Sequence, residues 1–290
     1  MGLRGGILYL LLEYLTVGTV DYGSLYTIRE GEVRFMKLMP ALFIGHGSPM
    51  NIIEDNSYVH EWRQIAAALP KPEAILAVSA HWYTEGTRVM DNEWPRTIHD
   101  FYGFPEPLYS MTYTAPGAPQ LAERAGDILG KAAVLDSSWG LDHGTWCVLQ
   151  AMYPAADIPV FQVSVNRSAP AQEHFALGKK LKELRSQGVM ILGSGDVVHN
   201  LGMIQFSRDD GFDWAYEFDN YIAECIRNND KEGVVGYKSF GRAAELAVPM
   251  PDHFYPLLYV LGAADETDKL RVYNQACTMG SLSMTSYVFA

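Results

Sequence analysis

The chain has 290 residues, 48% hydrophobic and 19% charged, enough apolar mass for a packed core and too much for a disordered or fibrous protein. Its 22 basic against 34 acidic side chains give a formal charge of −12 without any Lys/Arg cluster, which argues against a dedicated nucleic-acid binder and against an anionic-membrane protein. Three widely spaced cysteines, Cys147, Cys225 and Cys277, fit free thiols in a reducing compartment such as the cytoplasm, not a disulfide framework or a Cys-based zinc site.

The first 37 residues differ from the rest. Ile7 to Val20 is an apolar run of about 14 residues containing Glu13, shorter than the roughly 20 that a membrane-spanning helix needs. Three readings of this extension stand open: translation from an upstream start ahead of a natural beginning at Met36 or Met39, an accessory strand or helix, or a targeting segment. Residues 38–290 contain no internal repeat or low-complexity linker and read as one domain.

From Met39 onward, short apolar runs alternate with amphipathic stretches, the pattern of an α/β layered domain: a central mostly parallel or mixed sheet flanked by helices. Ala41–Ile44 predicts a buried strand, and the spacing of Val59, Trp62, Ile65, Ala66 and Leu69 predicts a helix over 57–69, stopped by Pro70 and Pro72. Ala74–Val78 is a second strand. Residues 91–119 are rich in Pro, Gly and aromatics without periodicity and read as a long ordered loop, the kind that covers a site. A helix over 119–129, a strand over 133–135 and a loop-to-helix passage at 140–146 follow. Ile158–Val165 predicts a strand, 171–184 a helix, Val189–Leu192 a strand, 214–226 a helix, a further apolar helix runs to Leu261, and Ser281–Phe289 alternates like a final strand.

Against this background stand eight histidines. His46, His81 and His199 come just after short apolar strands, in turns containing glycine or small residues. In an α/β sheet ligands bind outside the carboxyl ends of strands, so residues there share one rim although distant in sequence. His253 sits between Pro251 and Pro256 at the mouth of a helix. Four such imidazoles suit a metal, since neutral imidazole is the commonest protein ligand for zinc and iron, although the spacing is no local zinc motif and each histidine has a bland reading as a core or loop residue. His143, in Asp142-His143-Gly144, reads as a substrate contact or as a tight-turn residue. His99 lies in the long loop, and His60 and His174 sit on helices with polar neighbours and read as surface residues. Asp196 and Asp252 neighbour candidate ligands and either orient an imidazole or cap a helix. Six aromatics, Trp82, Trp94, Phe101, Tyr102, Trp146 and Tyr255, are candidates for a pocket or for the core. No nucleophile elbow, phosphate-binding loop or dinucleotide fingerprint is present.

Taken together, Gly45-His46-Gly47-Ser48-Pro49, Ser79-Ala80-His81-Trp82, Leu141-Asp142-His143-Gly144, Gly193-Ser194-Gly195 with His199-Asn200, and Pro251-Asp252-His253-Phe254-Tyr255-Pro256 resemble the class III extradiol ring-cleavage dioxygenases. The likeness is to the 4,5-DOPA extradiol dioxygenase branch, relatives of the protocatechuate 4,5-dioxygenase B subunit, and it covers about Met39 to Ala290. It implies one divalent metal ion per chain, Fe2+ for dioxygenase activity or Zn2+ as isolated, held by His46, His81 and His253 at the C-terminal ends of strands. His199 then falls at the family's acid/base histidine, near enough to serve also as a fourth metal ligand, and His143 at a catalytic-pocket histidine. The implied reactants are a small catechol such as DOPA and O2. The protocatechuate enzymes carry a glutamate as third ligand where this sequence has His253, and an all-histidine set suits zinc as well as ferrous iron. A zinc-bound hydrolase and a non-catalytic metal-binding protein on the same scaffold are the alternatives.

Overall fold

The computed structural model describes residues 26–29, 32–35 and 38–290; the apolar run Ile7–Val20 lies outside them. Residues 1–37 form one unit and Leu38–Ala290 a second. Within the first, Tyr26–Arg29 and Glu32–Phe35 pair antiparallel, Tyr26 opposite Phe35.

The second unit is organised by a six-stranded sheet. Its strands are β1 (Ala41–Gly45), β2 (Ala74–Ser79), β3 (Val160–Gln162), β4 (Val189–Gly195), β5 (Leu270–Tyr273) and β6 (Ser286–Phe289), in the order β5-β6-β1-β4-β2-β3. β1, β4, β2 and β3 run parallel, while β6 and β5 add an antiparallel edge. Every residue of β1, β2 and β4 is buried. This is why they appear in the sequence as unbroken apolar runs: central parallel strands are covered on both faces and cannot alternate.

Six helices matter for the site: α1 (Ser57–Ala68), α2 (Pro119–Leu129), α3 (His143–Met152), α4 (Ala171–Leu181), α5 (Asp213–Arg227) and α6 (Tyr255–Ala263). Successive residues of a strand face opposite sides of the sheet, and β4 shows which helix covers which side. Gly193 lies against the Pro256 carbonyl of α6, whereas the Ser194 hydroxyl reaches the Gly144 carbonyl of α3. α4 crosses α6 so closely that a Cβ at Gly178 would stand 2.2 Å from the Tyr259 carbonyl oxygen, so the crossing requires glycine there.

The departures from the sequence reading have physical reasons. Ile158–Val165 is not one strand. Val160–Gln162 joins the main sheet, Val163 bridges Val89, and Val165–Asn166 pairs with Tyr83–Thr84. Ala133–Asp136 is a strand, but it pairs with Thr87–Met90 outside the main sheet. Of the 281–289 segment only Ser286–Phe289 enters the main sheet, beside β1. His174 is not a surface residue. It is fully buried, because α4 turns His174, Leu177, Gly178 and Leu181 inward at helical spacing, and its Nδ1 lies 3.2 Å from the Tyr259 hydroxyl. His60 is exposed as expected, beside Asp55.

Burial pushes the pKa of His174 down to about 4 from an ordinary value of 6.5. Above 6.5 the ring is neutral in folded and unfolded chains alike. As the pH falls from 6.5 toward 4 only the unfolded chain takes up the proton, so stability is lost across that window, by up to roughly 3 kcal/mol. Denaturant melts of wild type and His174→Phe at pH 7.5, 6, 5 and 4 are expected to show a shallower acid-side loss in the variant. Equal pH slopes would contradict this assignment.

Candidate metal centre and cavity

Three sheet strands deliver the site at their C-terminal ends. His46 follows β1, His81 follows β2, and Asp196 and His199 follow β4; His253 precedes α6 on a turn that returns to the same rim. The ends are sewn together by backbone. His46 N–H donates to the Gly195 carbonyl (3.1 Å), and Asp196 N–H donates to the His253 carbonyl (3.0 Å). Asp196 Oδ1 accepts from Gly47 N–H (2.9 Å). At Gly195 a Cβ would lie 2.1 Å from the His253 carbonyl oxygen, so this crossing admits only glycine.

The ring nitrogens of His46, His81 and His253 offer one ligand atom each, all within 4.8 Å of one another. Hydrogen bonding assigns their tautomers. The single Ser194 hydroxyl proton goes to the Gly144 carbonyl (2.5 Å), so at 3.0 Å from His46 Nδ1 the same oxygen accepts, and His46 carries its proton on Nδ1. His81 Nδ1 faces Asp100 Oδ2 at 3.2 Å, which likewise puts its proton on Nδ1. The Nε2 atoms of the two rings face each other 3.2 Å apart, a gap that a shared proton or a metal ion can bridge. Two lone pairs facing at that distance repel unless a cation lies between them. His253 is buried, and neither of its ring nitrogens has a hydrogen-bond partner; Asp252 Oδ2 approaches Nδ1 at 3.3 Å but off the N–H line. These donors fit a divalent ion, which takes neutral imidazole nitrogens.

The electrostatics agree. Burial, then the charges of neighbouring histidines, holds His46 and His253 well below the usual histidine range, so both are unprotonated and free to ligate. For His81 burial works downward, but Asp100 outweighs it and raises the pKa, a field that favours a cation at this spot. Asp100 is itself pushed upward by burial, yet His143 and His81 hold it well below the ordinary carboxylate range. Burial raises the Asp196 pKa well above the ordinary carboxylate value, and its Oδ2 has no partner.

His199 stands beside His253, in a second group of possible donors. Its ring stacks on His253 with centroids 3.4 Å apart and planes 6° from parallel, and its nitrogen groups with His253 and Asp196. Burial pushes its pKa down to about 4, so it stands neutral as a proton acceptor. His143 opens α3, its ring 3.9 Å from that of His81 and its Nδ1 3.0 Å from Asp100 Oδ1. Both line a cavity of about 490 Å³ whose floor holds the metal candidates.

The long loop covers this cavity, as its composition suggested: Phe101, Tyr102 and Phe104 line it, and Asp100 reaches under it. The loop is pinned by Ile98 N–H to the Leu141 carbonyl (2.7 Å) and by Trp146 Nε1 to the Ile98 carbonyl (2.9 Å). His99 does not join the site; its Nε2 is 2.9 Å from the Met111 carbonyl. Trp82, Trp146 and Tyr255 belong to the core, and Trp94 is exposed. Asp252 binds the His253 N–H (2.9 Å) and caps no helix.

Sequence reasoning passed over Asp100, Ser194 and Asp142. Asp142 caps α3 through Thr145 N–H and accepts the Ser79 hydroxyl (2.6 Å), locking the end of β2 to the start of the helix that carries His143. A capping Asp one residue before a candidate histidine was the available signal. Asp100 adjoined His99 in a segment without periodicity and carried none.

Residues 40–290 match the family described as "Catalytic LigB subunit of aromatic ring-opening dioxygenase". The chain belongs to this family and is an extradiol ring-cleaving dioxygenase. Among its relatives, a 4,5-DOPA dioxygenase extradiol of Escherichia coli (strain K12) is 46% identical over 254 residues, covering 86% of this chain and 93% of that protein. One from Beta vulgaris is 39% identical, covering 85% and 95%. The crystal structure of an uncharacterized protein from Escherichia coli K12 superposes with a TM-score of 0.76 at 41% identity, covering 87% of this chain and all of that one.

If Ser194 sets the His46 tautomer, Ser194→Ala is expected to weaken metal affinity by about 10–100-fold, the usual scale for partners behind a ligand. Chelator competition on the folded variant measures it, and unchanged affinity would contradict the assignment.

Proposed function

We propose that the protein opens the ring of a small catechol, DOPA or a close relative, at one Fe(II) held by His46, His81 and His253 in the domain 38–290. The observation that carries the reading is the pair of facing nitrogens, His46 Nε2 and His81 Nε2, 3.2 Å apart beside a third imidazole with both nitrogens unpartnered. Ferrous iron held by His46, His81 and His253 would supply the redox centre that lets a catechol and O2 react. The names of the relatives support DOPA as the substrate. The buried free thiols support a cytoplasmic location, and among the described residues no helix is long and apolar enough to cross a membrane.

His199 acts as the acid/base. Neutral at pH 7 because burial disfavours its charge, it accepts a catechol hydroxyl proton and returns it to a departing oxygen. It is not one of the three donors His46, His81 and His253, so that set stays intact in its absence. His143 borders the cavity, its backbone N–H donating to Asp100 Oδ1 (2.9 Å) and its Nδ1 lying 3.0 Å from the same oxygen, so it orients the ring of the substrate against Phe101, whose ring meets it edge-on at 5.5 Å. Asp100 bridges His81 and His143 and so couples the metal-binding wall to the substrate wall.

The test is anaerobic reconstitution of the apo-protein with Fe(II), followed by DOPA and O2 with visible absorbance and oxygen uptake recorded. The expected result is a yellow ring-opened product with stoichiometric oxygen consumption. His199→Ala is expected to lower kcat by about 10²–10⁴-fold, the scale of general acid–base catalysis, while one metal ion per chain stays bound. Loss of metal together with activity would make His199 chiefly a ligand, and turnover with zinc under anaerobic conditions would favour a hydrolase.

A further inference from the structure

The charge around the cavity is one-sided. Among the described residues no lysine or arginine lines it; its one charged carboxylate is Asp100, on the floor, and both Asp100 oxygens face imidazoles. The mouth is apolar on two sides. One side is the loop carrying Tyr102 and Phe104, the other the segment carrying Leu201, Ile204 and Phe206. Tyr102 is 92% and Phe206 78% exposed, large apolar surfaces presented to solvent at the entrance. The second wall is held in place. Gln205 N–H donates to the Met279 carbonyl and Met279 N–H to the Arg208 carbonyl, both at 2.9 Å, on a turn where Met279 and Gly280 are left-handed (φ 52° and 79°). The nearest cation along this segment, Arg208, is turned onto Asp210, the Gly211 carbonyl and the face of Phe212.

A catechol whose hydroxyls face the histidines must direct its ring substituent outward between these walls. A carboxylate there meets no counter-charge, loses water against apolar surface, and sits in a protein of formal charge −12. Resting on the ring-cleavage reading above, we infer that the cavity selects catechols whose substituent carries no net negative charge, and that the Leu201–Phe206 wall is the specificity-determining element. Neutral, cationic and zwitterionic substituents are admitted; net anionic ones are rejected.

The test uses a size-matched pair, 3,4-dihydroxyphenylacetamide and 3,4-dihydroxyphenylacetate. On the Fe(II)-loaded enzyme kcat/KM is expected to be at least about tenfold higher for the amide, the scale of an unpaired charge against an apolar wall. Anaerobic calorimetric titration of the same pair on the zinc-loaded protein is expected to show the same order of affinity. Phe206→Lys, at an exposed position, is expected to raise the value for the acid severalfold and so narrow the ratio. An acid bound and cleaved as well as the amide, or a ratio indifferent to the lysine, overturns the inference. If neither catechol is cleaved, the ring-cleavage reading fails, and the calorimetric ratio still decides the charge preference.

Discussion

Two imidazole nitrogens held 3.2 Å apart repel as facing lone pairs unless a proton or a metal ion lies between them. The Ser194 hydroxyl, already donating to Gly144, forces the His46 proton outward, and Asp100 does the same for His81. A proton or a metal ion relieves the repulsion. With His46 and His253 kept deprotonated by burial, a single proton leaves His253 without a partner, whereas a divalent ion engages all three rings.

The rest of the domain holds that geometry against relaxation. The parallel strands end at one rim, and their ends are tied by the His46–Gly195 and Asp196–His253 backbone bonds and by the Asp142 cap joining Ser79 to α3. Close approach at Gly195 and Gly178 makes these junctions intolerant of side chains. A site on strand ends gains its precision from the sheet, while the loop at 91–118 and the segment at 201–208 shape what enters. The imidazoles thus sit at the ends of rigid strands, whereas loops line the rest of the cavity.

Much of this was legible in the sequence where one local signal sufficed. The runs at 41–44, 74–78 and 189–192 announce central strands because burial on both faces removes polar alternation. Histidines placed just after such runs announce a shared rim. The break in 158–165 was not legible, since it is set by which neighbour each residue finds, Ile75 and Ala77 on one side and Val89 or Tyr83 on the other. His174 was misread through polar neighbours such as Gln172 and Glu173, although Leu177, Gly178 and Leu181 mark its face as the inner one. Asp100 acts across 43 residues of sequence, from a loop with no period to reveal it.

The family match agrees with the physical reading of the rim, where His46, His81 and His253 converge within ligand distance, His199 stacks on His253 and His143 borders the cavity. Among the described residues, three side-chain groups on this rim are close enough to hold an ion, namely His46–His81–His253, His81–Asp100–His143 and Asp196–His199–His253. The measurement that separates them is a crystal structure of the iron-loaded protein with anomalous differences collected at the iron edge. The account predicts a single peak within about 2.0–2.2 Å of one nitrogen each from His46, His81 and His253. A peak centred on either of the other two groups, or none at full iron loading, would contradict it.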